Sequence, residues 1–79
     1  MSARVLFFGA TAHIAKKREV SVTVGNGLTA NGVLEAIVLQ IPSLSSYELH
    51  ISLNQQYADG NEIISDGDEL AIFTAVSGG

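Results

Sequence analysis

The sequence predicts a single small α+β domain, a mixed sheet of four to five strands packed against one main helix. Three observations lead there. At 79 residues the chain is too short for a second core. Segments with a two-residue apolar period stand near both ends, and one segment with helical spacing stands between them. The apolar share of 47%, with only 15% charged residues, suits a packed core rather than disorder.

The first strand begins at about residue 3. Arg4-Val5-Leu6-Phe7-Phe8 combines β-branched and aromatic residues, and Gly9 closes it. Ala10 to Arg18 is a short helix or an irregular connection, with Lys16-Lys17-Arg18 at its polar end, where cations suit a helix C-terminus. From Glu19 to Val24 the pattern alternates. Val20, Val22 and Val24 share one face while Ser21 and Thr23 take the other, as in a half-buried strand. Gly25-Asn26-Gly27 breaks that pattern and reads as a turn, since it has the spacing of neither a Walker A loop nor a dinucleotide fingerprint.

Thr29 caps a helix over about residues 30–41, where Ala30, Val33, Leu34, Ile37, Val38 and Ile41 make one apolar stripe. Pro42 ends it, because the ring disfavours helical geometry in the residue before it. Ser43 to Ser46 is a loop, and Leu49-His50-Ile51-Ser52-Leu53 alternates as a third strand. Asp59-Gly60-Asn61 signals a turn with short strand-like pieces on either side, and Asp66-Gly67-Asp68 signals another. Glu69-Leu70-Ala71-Ile72-Phe73-Thr74 is the last strand. A hairpin, a crossing helix and a return to the same sheet is the arrangement of a β-grasp domain. It covers residues 1–74 and leaves 75–79 as a flexible tail ending in two glycines.

The totals exclude several functions. The net charge of −4 leaves only Arg4, Lys16, Lys17 and Arg18 against eight acids, a poor basis for holding a phosphate backbone. A basic protein partner is expected instead, since opposite potentials speed encounter. With no cysteine there is no disulfide, thiolate metal site or Cys nucleophile. No apolar run approaches the ~18 residues of a membrane span. The N-terminus reads as a strand rather than a signal peptide, so a cytoplasmic protein is expected.

His13 and His50, the only histidines, have no carboxylate at ligand-like spacing, so no metal is expected and both read as surface or loop residues. Neither a Gly-x-Ser-x-Gly elbow nor a paired acid and base is present, and no catalytic side chain is expected in this chain.

Two features remain. Asp59, Glu62, Asp66, Asp68 and Glu69 crowd one stretch. They read either as solvated turns, where Asp is favoured, or as a docking face for a basic partner. The end of the chain, Ala75-Val76-Ser77-Gly78-Gly79, carries no charged side chain and no bulky terminus. Such a tail is either a frayed end or a segment that threads a narrow active site, where glycine lets another backbone come close.

At these residues the sequence resembles the molybdopterin synthase small subunits and their relatives, the ubiquitin-like MoaD/ThiS sulfur carriers. The resemblance rests on Asp66-Gly67-Asp68-Glu69-Leu70-Ala71-Ile72-Phe73 followed by Val76-Ser77-Gly78-Gly79, with Val5-Leu6-Phe7-Phe8 and Leu53-Asn54-Gln55 in support. It implies that a ubiquitin-activating-like adenylyltransferase uses ATP to adenylate the Gly79 carboxylate, and that sulfur then replaces the adenylate. The thiocarboxylate enters the synthase large subunit and donates sulfur to a pterin precursor in molybdenum cofactor biosynthesis. By the same resemblance the carrier is expected to bind no cofactor, and Gly78, Ser77 and Val76 are expected to thread the partner's channel.

Phe73 and Ile72 contribute an apolar docking surface by the same resemblance, although neighbours on a strand face opposite ways and one of the two packs inward. The family's molybdopterin synthase small subunits typically carry two prolines just before the last four residues, where this chain has Thr74-Ala75. That difference bears on the pathway rather than on the sulfur chemistry. The alternatives are a carrier for thiamine thiazole synthesis or tRNA thiolation, a ubiquitin-like protein modifier, and a ubiquitin-like interaction domain whose glycines are never activated.

Overall fold

A computed structural model describes residues 1–74 of the chain. The expected tail, 75–79, lies outside the described residues.

Five strands form one mixed sheet in the order β2-β1-β5-β3-β4. Strand β1 (Ser2–Phe7) pairs antiparallel with β2 (Glu19–Thr23), Val5 opposite Val20. On its other side β1 runs parallel to β5 (Glu69–Thr74), with Phe7 opposite Ile72. Strand β5 pairs antiparallel with β3 (Leu49–Leu53), and β4 (Gln56–Tyr57) closes the far edge against β3. The two central strands are thus the first and the last, brought together by the crossing helix α2 (Ala30–Gln40).

One face of the sheet is buried. Val5, Phe7, Ile51, Leu70 and Ile72 meet Val33 and Ile37 of α2 and Leu44 beyond it. These positions alternate along their strands, so the period read from the sequence is the period of burial. Helix α2 starts as Thr29 predicts, with its hydroxyl oxygen accepting the Gly32 N–H at 3.1 Å.

The structure decides one open reading and corrects others. The segment after β1 is a true helix, α1 (Ala10–Ala15), fastened by Thr11. That threonine is wholly buried, and its hydroxyl lies 2.7 Å from the Phe8 carbonyl and 2.8 Å from the Ile72 carbonyl, tying α1 to β5. The loop expected at 43–46 is a 3-10 helix, Pro42–Ser46, because Leu44 is drawn fully into the core. The hairpin between β3 and β4 turns on Asn54 and Gln55, both at positive φ (49° and 71°). Of the strand-like pieces around Asp59-Gly60-Asn61, only β4 is a strand; beyond the turn there is one bridge, Ile63 with Thr29.

Candidate functional site

Because β1 and β5 are parallel, the sheet has two unlike ends. At the exit end β5 finishes at Thr74, opposite Leu49 at the start of β3. Phe8 donates its N–H to the Ile72 carbonyl there, and Phe7 donates to the Arg18 carbonyl at 2.8 Å. Helix α1 packs over β5 at this end. The reactive position expected at Gly79, and the threading positions Gly78, Ser77 and Val76, lie outside the described residues. What the structure places is the strand leading to them.

Alternation decides the roles of the two expected docking residues. Ile72 has 0% of its surface exposed and belongs to the core, so it offers nothing to a partner. This corrects the expectation that it docks. Phe73 faces the other way and is half-buried on the outer face of the sheet. Cross-strand register brings His50 directly opposite it, with ring centroids 5.8 Å apart and nearly parallel. Tyr57, itself 82% exposed, meets the same ring edge-on at 5.8 Å. His50 thus lies on the strand where alternation placed it, within an aromatic cluster. His13 is exposed on α1.

The acidic stretch sits at the opposite end. Asp66 accepts the Ser2 N–H at 2.8 Å, and Asp68 accepts the Ser65 N–H at 2.7 Å and the Asn54 side-chain amide at 3.1 Å. Glu69 pairs with Arg4 at 2.6 Å. The Glu62 carboxylate accepts the N–H groups of Asp59 and Gly60, and these backbone donors, Asp59 first, hold its pKa below the ordinary value. The carboxylates of Glu62, Asp66 and Asp68 thus hold turns and strand ends in place, and that of Glu69 pairs across to β1. The rise along β5 puts Glu69 about 17 Å from Thr74.

No nucleophile, base and orienting group converge among the described residues, and no cluster of His, Cys, Asp or Glu there could hold a metal ion. An apolar groove between α2 and the 3-10 helix is lined by Leu34, Val38, Leu44, Tyr47 and Leu49, with Glu35 at its side. That lining offers no acid–base pair. Among the described residues no helix is long and apolar enough to cross a membrane.

Comparison with known proteins matches residues 5–79 to the ThiS family model. The chain is 32% identical over 83 residues to a protein named molybdopterin synthase sulfur carrier subunit in Chlamydomonas reinhardtii, covering all of both chains. It is similar in structure to small archaeal modifier protein SAMP1 from Haloferax volcanii (TM-score 0.87, 31% identity, all of both chains). It is also similar to a chain in the complex of subunits 1 and 2 of the molybdopterin-converting factor from Helicobacter pylori (TM-score 0.71, 29% identity, all of both chains). With its ubiquitin-like β-grasp sheet and a family match from Val5 to the last residue, the chain belongs to the ThiS family.

Proposed function

We propose that this chain is the sulfur carrier subunit of a molybdopterin synthase. The observation that carries the reading is the full-length, 32% identical relative of that name, together with the Gly78-Gly79 end of this sequence. The Helicobacter pylori complex of subunits 1 and 2 supports a large-subunit partner.

In this reading the chemistry occurs at the Gly79 carboxylate and in the partners. A carboxylate is inert to nucleophiles because its charge is delocalised and its leaving group poor. An adenylyltransferase removes that barrier: a Gly79 carboxylate oxygen attacks the α-phosphorus of ATP and pyrophosphate leaves. A sulfur nucleophile then displaces AMP from the acyl carbon and leaves a thiocarboxylate. Ionised and soft, the thiocarboxylate sulfur attacks an electrophilic carbon of the pterin precursor inside the large subunit and displaces an oxygen leaving group. Water then cleaves the acyl–sulfur bond, leaving the sulfur on the precursor and restoring the Gly79 carboxylate. ATP belongs to the activating partner, which suits a cytoplasmic setting.

One observation favours a second reading, a protein modifier joined to lysines: the 31% identity to SAMP1 over the whole chain. Intact-mass measurement after incubation with the activating enzyme, ATP and a sulfur donor separates the two. Oxygen-to-sulfur replacement at Gly79 and complex formation with the large subunit are expected, and Gly79 deletion abolishes both sulfur loading and sulfur transfer. An unchanged mass sinks the carrier reading, and adducts on other proteins favour the modifier.

A further inference from the structure

We propose that the exit end of the sheet is a docking surface for an acidic protein surface, with Lys16, Lys17 and Arg18 set against the partner's carboxylates. This rests on the reading above, in which the tail acts inside a partner.

Three of the chain's four basic residues are consecutive. Lys16 ends α1 in the left-handed conformation (φ 60°), turning the chain so that Lys17 and Arg18 lead into β2. All three side chains are exposed. With His13, Ala12 and Gly9 they line a shallow concavity. Among the described residues none of the three makes a salt bridge, whereas Arg4 is committed to Glu69.

Their position matters more than their number. The Arg18 carbonyl is bonded to Phe7, and Phe7 stands opposite Ile72, so Arg18 lies two strand spacings, about 10 Å, from β5 near its end. The concavity therefore flanks the place where the chain leaves the sheet. Asp66, Asp68 and Glu69 lie at the other end, and Glu62 and Asp59 stand near the start of α2. The acids nearest the exit end are Glu19, opposite Leu6 on β2, and Glu48, just before β3.

A molecule of net charge −4 thus carries its exposed cations beside the end of β5. Against a local acidic patch on a partner the charge asymmetry turns the molecule exit end first, and within a Debye length of about 10 Å the nearby cations outweigh acids held at the far end. A nucleic-acid backbone, charged along its whole length, would face those acids as well and is disfavoured.

The test compares two double variants with equal change in net charge. K17Q/R18Q removes two exposed cations at the exit end, and N26E/N61E adds two acids in exposed turns at the far end. Association rates are measured by stopped flow with the cognate molybdopterin synthase large subunit and with the adenylating enzyme, at about 0.05 M and about 0.5 M salt. K17Q/R18Q is expected to slow association with at least one partner about tenfold at low salt, with most of the difference gone at high salt. N26E/N61E is expected to stay within about twofold of the parent.

Equal rates for the two variants, or a K17Q/R18Q loss that persists at high salt, overturn the proposal and leave the carrier reading standing. If the parent binds neither partner, the carrier reading itself falls. Transfer of binding to a single-stranded RNA oligonucleotide that K17Q/R18Q abolishes would replace the acidic protein with nucleic acid and overturn the proposal as well.

Discussion

Neighbouring residues on β5 should separate stability from docking. Ile72 is fully buried between Phe7 and Ile51 on flanking strands, so Ile72→Ala removes packed volume that the core has no means of refilling. The expected loss is about 2–5 kcal/mol. For a domain of this size each kcal/mol lowers the melting temperature by about 4–8 °C, so the drop is about 10 °C or more. Total stability for such a chain is of the same order as the loss, and partial unfolding at 37 °C is expected.

Phe73→Ala removes a half-buried ring and its contacts with His50 and Tyr57, aromatic pairs worth about 0.5–1.5 kcal/mol each before solvent exposure is counted. It should melt closer to the parent. Binding reverses the order. If Phe73 anchors the large subunit, its truncation costs about 2 kcal/mol or more, a Kd about thirtyfold weaker. Ile72→Val, a loss of about 1 kcal/mol that leaves the domain folded, should bind like the parent. Thermal unfolding by circular dichroism and titration calorimetry measure the two effects. A Phe73→Ala variant that binds as tightly as the parent, or less tightly only because it has unfolded, refutes the assignment.

Two further expectations concern the turns. Gln55 holds φ at 71° in a two-residue hairpin loop where both residues need positive φ, a conformation that costs a side-chain-bearing residue about 1 kcal/mol. Gln55→Gly should raise the melting temperature by about 2–4 °C once glycine's extra unfolded freedom is subtracted, and an unchanged or lower value counts against the strain. Glu62→Gln should destabilise the domain at neutral pH. The folded-state pKa of Glu62 is lowered by the Asp59 and Gly60 N–H groups, so its contribution is full above the ordinary value of 4.5 and disappears as pH falls through the lowered one. Urea unfolding of both proteins between pH 7 and pH 3 should show the gap closing with acid; a gap independent of pH would contradict the sign.

The elements with a clear period were legible. Leu49–Leu53 and Glu69–Thr74 lie where alternation put them, and Thr29 caps α2 because its side chain suits the first turn better than any neighbour's. Legibility stopped where a tertiary partner decides. Leu44 makes a helical turn out of a serine-rich stretch only because a core is there to receive it. Alternation required Ile72 and Phe73 to face opposite ways, but two apolar neighbours carry no mark of which goes in; the pairing of Ile72 with Phe7 and Ile51 settles it. His50 and Tyr57 escaped notice for a similar reason. The signal was present, since His50 and Ser52 share the face opposite Ile51, but its meaning needed the register that sets His50 beside Phe73 and Ser52 beside Tyr57.

Charge shows the same limit with a larger consequence. Asp66, Asp68 and Glu69 precede the tail by few residues, and the chain's acidity suggests a basic partner. A six-residue strand intervenes, and a strand is the most extended element a chain can use. It carries the chain away from those carboxylates, and its last residue, Thr74, ends at the side of the sheet where Lys16, Lys17 and Arg18 stand, more than fifty positions earlier in the sequence. The parallel pairing of first and last strands is therefore what sets the charged side chains found where β5 ends. For a chain with no acid–base machinery among its described residues, the sign at that place bears on function more than the net charge does, because it governs which surface meets a partner first.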